Sequence, residues 1–257
     1  MAAVDLTEFN IHRATNAEKL AHDALDIFLD SAKNAIEKQG VFHVAISGGH
    51  TPTRFFELLG HENASLALPW DQVHVFWVDE RCVPPEAEAS NYGLAAHTFL
   101  DKVPIPPENV HRVSGENADY GAAVRDYQNT IRGIFGAGPG EIPQFDLIIL
   151  GMGEDGHIGS LYPNSYALFD TDDLVAIVYM TEGDYSRITL THPVMCAARR
   201  LAILVSGAEK AHILKEVLTS EPDAVKYPVH TLWPILNKVT WLIDDEAGQM
   251  LNVPTSA

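Results

Sequence analysis

The sequence has little cysteine and no long hydrophobic run. Its two cysteines, Cys82 and Cys196, are too few for a disulfide framework, which favours a reducing compartment. No apolar run reaches the roughly 18–20 residues that a membrane-spanning helix needs. The first ten residues, MAAVDLTEFN, lack the basic and apolar regions of a secretory signal. We therefore predict a cytoplasmic protein without a membrane partner.

Positive charge is also scarce. Seventeen Lys and Arg residues face 35 Asp and Glu residues, which gives a formal net charge of −18. Such a balance argues against nucleic acid or an anionic membrane as partner. If the ligand is itself an anion, the few cations must converge on it locally. Otherwise the excess carboxylates simply keep the surface hydrated.

The composition is that of a globular protein, because 46% of the 257 residues are hydrophobic. Strand-like and helix-like segments alternate along the chain, beginning with a helix that a Thr15–Glu18 capping box opens and that ends before Gly40. This alternation predicts an α/β fold: a mainly parallel, Rossmann-like sheet with helices on both faces. We find no internal repeat and no long linker, so we predict a single domain over 1–257. The predicted strands cover 41–46, 73–78, 145–150, 174–180, 187–191, 200–207 and 239–244, with a C-terminal helix after the last.

Ligands of open α/β sheets bind beyond the carboxyl ends of the strands. Four segments of this chain follow predicted strands: 47–52, 79–85, 151–163 and the helix start after Gly207. All four carry unusual residues, and we therefore look for the site there.

The segment after the third predicted parallel strand contains Gly151-Met-Gly153-Glu-Asp-Gly156, a literal G-x-G-x-x-G. A dinucleotide site would need a long helix from this turn and an acidic residue after the next strand. Pro163 limits any such helix to about two turns, and Asp170 precedes the next strand instead of following it. The context therefore disfavours a dinucleotide.

The same glycines can turn backbone N–H groups toward an anion, and they place His157 in a ligand-facing loop. Asp155 lies two residues before this histidine. A neighbouring carboxylate can set the tautomer of an imidazole that acts as a general base. The alternative is a histidine that only packs in a turn.

The loop ISGGHTP (46–52) is a second candidate. Ser47, Gly48, Gly49 and Thr51 can offer hydroxyl and amide donors to a phosphate at a helix N-terminus. An ordinary tight turn before a helix explains these residues equally well. The loop lacks the Lys-Ser/Thr ending of a nucleotide P-loop, so it does not imply ATP.

Charged residues follow the second strand and recur later in the chain. Asp79, Glu80 and Arg81 lie directly after the hydrophobic run 73–78, where they are either functional or a solvated surface run. Arg187 and Lys210 are further cations in segments that we expect to face a ligand. Lys210 lies in the first turn of its helix, where a cation opposes the helix dipole unless an anion is bound.

Two kinds of site are disfavoured. The twelve histidines show no H-x-H or H-E-x-x-H spacing, and the two cysteines are far apart, so we predict no metal. No G-x-S-x-G motif occurs, which argues against a serine hydrolase of the usual α/β type.

Five ordered segments carry a resemblance to a known family. They are AISGGHTP, WVDERCVPPEAEASNYG, FDLIILGMGEDGHIGSLYP, RITLTHPVMCAARRLAILVSGAEKAHIL and VTWLIDDEA. In order and spacing, from about residue 10 to 250, they resemble the 6-phosphogluconolactonase family. The related glucosamine-6-phosphate deaminases share the Gly-Asp-Gly-His turn. SLYPNS after the turn and DERCVP after the strand look like the lactonase branch.

The resemblance implies hydrolysis of 6-phospho-D-glucono-1,5-lactone in the oxidative pentose phosphate pathway, without metal or organic cofactor. His157 is the expected general base, with Asp155 in support. Arg81, beside Asp79, is expected to hold the substrate and stabilise developing negative charge. The substrate-binding residues implied are Ser47, Gly48, Gly49 and Thr51, with Arg187 and Lys210 as phosphate partners.

Two positions depart from the family pattern. His50 stands where the family usually has Ser or Thr, and Ile158-Gly159-Ser160 replaces the usual Thr-Ala-Ser. Whether His50 touches phosphate is open, as is the choice between a monomer and a weak homo-oligomer. A deaminase that uses Asp79 as base, and a sugar-phosphate sensor without activity, are the alternative functions.

Overall fold

The computed structural model describes residues 6–61, 68–181 and 184–255. Residues 1–5 and 256–257, the two ends of the predicted domain 1–257, therefore lie outside the described residues. In the described part of the chain, ten strands form two sheets. The strands are β1 Asn10–Ala14, β2 Phe42–Ile46, β3 Val73–Trp77, β4 Asp79–Arg81, β5 Val110–His111, β6 Leu147–Gly151, β7 Val175–Val178, β8 Arg187–Leu190, β9 Leu201–Val205 and β10 Val239–Asp244.

Helices connect most of these strands. The α-helices are α1 Ala17–Gln39, α2 His50–Leu59, α3 Asn91–Thr98, α4 Tyr120–Phe135, α5 His192–Ala197 and α6 Ala211–Thr219. Short 3₁₀ segments lie at Trp70–Gln72, Leu100–Lys102, Pro107–Asn109, Tyr166–Phe169, Ala208–Lys210, Pro228–Lys238 and Ala247–Met250.

The main sheet has seven strands in the order β1-β10-β9-β6-β2-β3-β5, and every pairing in it is parallel. All residues of β9 and β10 are buried, so helices cover both faces of the sheet. This arrangement confirms the predicted α/β class with a mainly parallel sheet.

A second, smaller sheet was not predicted. Its order is β4-β8-β7, and both of its pairings are antiparallel. Two segments that read as ordinary strands, 174–180 and 187–191, therefore pair with each other outside the main sheet. The short strand β4 continues from β3 after one residue, Val78, and so carries Asp79–Arg81 out of the main sheet.

One predicted helix cap and one predicted helix are wrong. Helix α1 is capped by Asn16, whose side chain accepts a hydrogen bond from the Lys19 N–H at 2.9 Å, and not by Thr15. Both residue types can cap a helix, so the sequence alone did not separate them. Among the described residues after β10, up to 255, only the single 3₁₀ turn Ala247–Met250 follows, where we expected a C-terminal helix. The predicted end of α1 at Gly40 is confirmed by its left-handed φ of 79°.

Candidate active site

The order of the main sheet places a crevice between β2 and β6. Strands β3 and β5 lie next to β2 on one side of this point, and strands β9 and β10 lie next to β6 on the other side. The loops after β2 and β6 therefore diverge and leave a cleft of about 360 Å³ beyond the strand ends. Nine of the ten predicted site residues line this cleft: Ser47, Gly48, Gly49, Thr51, Asp79, Arg81, His157, Arg187 and Lys210. Eight of them come from the four segments that follow predicted strands, and Arg187 lies at the start of β8.

The tenth predicted residue, Asp155, lies behind the cleft and contacts His157. Its Oδ1 is 2.6 Å from His157 Nδ1 and also accepts the His157 backbone N–H at 3.1 Å. Since a carboxylate only accepts hydrogen bonds, Nδ1 carries the proton in the neutral ring and the lone pair is on Nε2. Partial burial is the largest single effect and favours the neutral acid, but the hydrogen bonds and the charge of His157 together outweigh it and hold the pKa of Asp155 below its ordinary value.

The turn that presents His157 depends on its glycines. A Cβ on Gly153 would lie 2.1 Å from the imidazole, so only glycine allows the ring to fold back over the turn. Gly156 adopts a left-handed φ of 79°, and its N–H donates to the Gly153 carbonyl at 3.1 Å. No helix follows directly from this turn, so it lacks the helix N-terminus that a dinucleotide fingerprint uses. The glycines serve to position the imidazole.

The loop after β2 joins the sheet to the N-terminus of α2. The Ser47 N–H donates to the Ile149 carbonyl at 3.0 Å, which extends the pairing of β2 with β6 by one residue. The Ser47 side chain is 5% exposed, and its Oγ has no hydrogen-bond partner among the described residues. Gly49 has a φ of 103°, a value that glycine favours, and forms the N-cap of α2. The loop therefore presents an unsatisfied hydroxyl and a helix N-terminus to the cleft.

Asn91, at the start of α3, ties this loop to Arg81. Its Oδ1 accepts from Arg81 Nη1 at 2.7 Å, and its Nδ2 donates to the Asp79 carbonyl at 2.8 Å. A Cβ on Gly48 would lie 1.9 Å from the same Oδ1. Arg81 Nη1 also donates to the Ala89 carbonyl at 2.9 Å, whereas its buried Nε has no partner in the described part of the chain. Asn91 thus holds the guanidinium in place and leaves donors for a ligand.

Asp79 and Glu80, the two acidic residues before Arg81, have different roles. Asp79 is 7% exposed and lines the cleft, where its Oδ2 accepts a hydrogen bond from the Ser160 hydroxyl at 2.7 Å. Glu80 points the other way and is 2% exposed. Its carboxylate accepts the N–H groups of Asn91 and Tyr92, each at 2.7 Å, and so caps α3. Burial raises the pKa of Glu80, although these N–H groups act to lower it.

The two remaining cations reach the cleft from different elements. Arg187 begins β8 and donates to the Tyr185 carbonyl at 2.7 Å and to Asp184 at 3.2 Å. That hydrogen bond holds the pKa of Asp184 below its ordinary value. Lys210 Nζ lies 4.0 Å from a Glu154 carboxylate oxygen, and its side chain is 18% exposed. Arg187 is therefore already paired, whereas Lys210 has only a distant and exposed carboxylate.

Sequence reasoning missed several residues that line the cleft. Tyr162 packs against His157 with ring centroids 4.4 Å apart and ring planes tilted by 42°, and the Arg187 guanidinium lies 5.6 Å from the Tyr162 centroid. Glu154 and Glu209 also line the cleft, so its acidic side chains equal its Lys and Arg side chains in number. Asn91 and Tyr162 lie inside the segments SNYG and SLYP, but nothing local in those segments marked them as site residues.

Metal-binding clusters and membrane-spanning helices are both absent from the described residues. Across residues 6–61, 68–181 and 184–255, no three His, Cys, Asp or Glu side chains are grouped to hold a metal ion. None of the helices in these ranges is long and apolar enough to cross a membrane.

Comparisons with known proteins agree on one family. The family model for glucosamine-6-phosphate isomerases/6-phosphogluconolactonase matches residues 15–241. A 6-phosphogluconolactonase from Nostoc sp. is 37% identical over 90% of this chain and 93% of its own length. One from Synechocystis sp. is 36% identical over 92% of this chain and 95% of its own. The fold of the 6-phosphogluconolactonase from Trypanosoma brucei matches with a TM-score of 0.82 at 24% identity, covering 94% of this chain and 98% of that one.

Proposed function

The chain belongs to the glucosamine-6-phosphate isomerase/6-phosphogluconolactonase family, and we propose that it is a 6-phosphogluconolactonase. It hydrolyses 6-phospho-D-glucono-1,5-lactone to 6-phosphogluconate, as the names of its curated relatives indicate. Within the family, identities above 30% to proteins named lactonase support this activity over amino-sugar deamination. The cytoplasmic location and the monomer or weak homo-oligomer stay predictions.

One observation supports the mechanism most directly: a histidine whose Nδ1 is held by a carboxylate at 2.6 Å opens onto a cleft that also contains Arg81 and Lys210. Nε2 has no hydrogen-bond partner among the described residues, so it is free to accept a proton from water. Asp155 stabilises the imidazolium that forms.

The reaction then proceeds in two steps. His157 Nε2 takes a proton from water as the water oxygen attacks the lactone carbonyl carbon, which leaves a tetrahedral oxyanion. The oxyanion collapses, the bond from that carbon to the ring oxygen breaks, and the ring oxygen takes the proton from the imidazolium. The product is an open-chain hydroxy acid, which releases a proton to solvent at neutral pH.

Arg81 stabilises the oxyanion in this mechanism. Its guanidinium is held through Nη1 by Asn91 and Ala89, so its other N–H groups are oriented before substrate arrives. Such preorganised donors stabilise developing charge without reorganisation during the reaction. Asp79 lies beside it, holds Ser160 and contributes to the orientation of the substrate.

The phosphate binds at the loop after β2 and at Lys210. The unpartnered Ser47 hydroxyl, the amides of Gly48 and Gly49 and the Thr51 hydroxyl surround the N-terminus of α2, where the helix dipole favours an anion. Lys210 exchanges its 4.0 Å contact with Glu154 for the phosphate. Arg187, already held by Asp184, adds positive charge to the cleft from the start of β8.

The base is tested by following proton release from freshly made 6-phosphogluconolactone at constant pH, with uncatalysed hydrolysis as the background. We expect His157→Ala to lower kcat by about 10²–10⁴-fold. His212→Ala is the matched control, because His212 is exposed on α6 and does not line the cleft. A rate unchanged by His157→Ala would refute the assignment of the base.

The phosphate site is tested by comparing phosphorylated and unphosphorylated gluconolactone. Lys210→Ala should raise KM for the phosphorylated lactone about 10- to 100-fold, since a hydrogen bond to a charged group contributes about 1.5–3 kcal/mol. Lys215→Ala, on the exposed side of α6, is the control. Equal losses for both lactones would exclude a phosphate role for Lys210.

The same preparation tests the alternatives. Ammonia release from glucosamine 6-phosphate without lactone hydrolysis would make the protein a deaminase. Binding of 6-phosphogluconate without turnover of either substrate would make it a sensor.

A further inference from the structure

A second cavity lies at the opposite end of the main sheet. It has a volume of about 370 Å³ and is bounded by the C-terminal half of α1 and by the residues that precede β6 and β9. Because the strands are parallel, their amino ends lie at the edge of the sheet remote from the candidate active site. The cavity is lined by Ser31, Asn34, Ala35, Lys38, Gln39, Asp146, Arg199 and Arg200.

Positive charge predominates in this cavity. Lys38, Arg199 and Arg200 line it, against one carboxylate, Asp146. The cleft at the other end of the sheet has equal numbers of Lys or Arg and of acidic side chains. In a chain of net charge −18 with only 17 Lys and Arg residues, a local excess of cations favours an anionic ligand.

The one carboxylate is already neutralised. Asp146 is 5% exposed and accepts hydrogen bonds from Gln39 Nε2 at 3.0 Å and from the His43 N–H at 2.9 Å. Its Oδ1 also lies 3.2 Å from Arg199 Nε. Asp146 and Arg199 therefore form a pair, which leaves Lys38 and Arg200 as the cations available to a ligand.

Neither of these two cations is paired. Within the described ranges, Lys38 Nζ and the Arg200 guanidinium make no side-chain hydrogen bond and have no carboxylate oxygen within 4.0 Å. Burial lowers the pKa of Arg200 from its ordinary value, because the guanidinium loses water, although the charge of Asp30 acts in the opposite direction. A half-buried arginine that no carboxylate contacts is well placed to bind an anion.

A residue that lines the same cavity carries a buried, unsatisfied hydroxyl. Ser31 is 9% exposed, and its Oγ has no hydrogen-bond partner among the described residues. Buried polar atoms in folded proteins nearly always have a partner, so a donor left unpaired in a cavity points to a ligand or a water. Ser31 lies two turns before Lys38 on α1, and both line the cavity.

We propose that this cavity binds a phosphate group, either free or as a small phosphate monoester. The Arg200 fork donates to two phosphate oxygens, Lys38 adds a second charge, and the Ser31 hydroxyl donates to a third oxygen. The C-terminal end of the α1 dipole opposes an anion with roughly half an elementary charge. The two full charges of Arg200 and Lys38 outweigh it.

The site is tested by NMR on the ¹⁵N-labelled full chain, titrated with sodium phosphate while sodium chloride keeps the ionic strength constant. Backbone amides of residues 31–39 and 199–201 report on this cavity, and those of 47–51 report separately on the cleft. We expect a saturable response in the first set with a dissociation constant of about 1 mM or tighter. Since no activity is measured, the result does not depend on the proposed reaction.

Variants assign the response to the cavity. Arg200→Met should weaken phosphate binding there at least tenfold, or about 1.4 kcal/mol, and leave the response of 47–51 unchanged. Lys33→Met removes the same charge from an exposed position of α1 outside the cavity and should have no effect. If Arg200→Met does not fold, Lys38→Met at an exposed position provides the same comparison.

A second titration with glycerol 1-phosphate separates the two sources of phosphate. Tighter binding than inorganic phosphate indicates a monoester, and weaker binding indicates the free ion. A linear response that chloride alone reproduces, a response confined to 47–51, or unchanged affinity in the arginine variant would each overturn the proposal.

Discussion

Replacing Gly48 by alanine tests how the cleft holds its arginine. The backbone of Gly48 lies outside the left-handed region, so alanine is not excluded by its φ. The added Cβ, however, would lie 1.9 Å from Oδ1, 2.3 Å from Cγ and 2.9 Å from Cβ of Asn91. Ordinary contacts begin near 3.4 Å, so the amide of Asn91 must move by about 1.5 Å.

This movement breaks two hydrogen bonds. Asn91 accepts from Arg81 at 2.7 Å and donates to the Asp79 carbonyl at 2.8 Å. A hydrogen bond to a charged group contributes about 1.5–3 kcal/mol and a neutral one about 1 kcal/mol, so we expect the free energy of unfolding to fall by about 2–4 kcal/mol. Arg81 also loses its orientation, and a misplacement of about 1 Å can cost roughly 10²-fold in rate.

The measurements are kcat/KM for 6-phosphogluconolactone and the urea midpoint. We expect Gly48→Ala to lower kcat/KM by about 10²-fold. Gly133→Ala is the matched control, because a Cβ on Gly133, inside α4, meets nothing within 4 Å. A Gly48→Ala protein with unaltered activity and stability would show that Asn91 does not hold Arg81 as described.

A double variant identifies the clash as the cause. Asn91→Ala removes the two closest atoms and leaves only a Cβ at 2.9 Å, so the required movement falls from about 1.5 Å to about 0.5 Å. Gly48→Ala in that background should therefore add little to the loss caused by Asn91→Ala alone. Additive losses would mean that the alanine acts through some other contact.

Three further predictions concern Asp155, the histidines His43 and His111, and Gly133. Asp155→Asn should lower kcat by about 10- to 100-fold with little change in KM, because it removes the charge that holds His157 Nδ1. A change confined to KM would contradict this prediction. Burial, with the charges of the neighbouring histidines, lowers the pKa values of His43 and His111 to about 4, so the unfolded chain binds more protons between about pH 4 and 6.5. The free energy of unfolding from urea titrations should therefore fall by about 2–4 kcal/mol from pH 7 to pH 5, and a flat profile would refute the shifts. Gly133→Ala should raise the free energy of unfolding by about 0.5–1 kcal/mol, because alanine favours a helix more than glycine does. Urea unfolding followed by circular dichroism measures this change, and a decrease would contradict the prediction.

The sequence predicted the class of fold because hydrophobic periodicity is local. Runs such as 73–78 and 145–150 are buried on both faces and read as parallel strands without knowledge of their neighbours. Since parallel strands end at one edge of a sheet, the same pattern also indicated which segments would meet at the site. The contact of Asp155 with His157 spans two residues and was predictable for the same reason.

Pairings between distant segments were decided only by the tertiary structure. Glu80 and Asp79 are adjacent in the chain, yet one caps α3 and the other faces the cleft, because α3 packs against one side of β4. Asn91 contacts Gly48 across 43 positions of sequence, a proximity that follows from strand order and helix packing and leaves no local pattern. The cavity at the other end of the sheet likewise combines residues of α1 with those before β6 and β9. Local propensity specifies most of the elements, whereas the side chains that meet depend on how the sheet orders those elements.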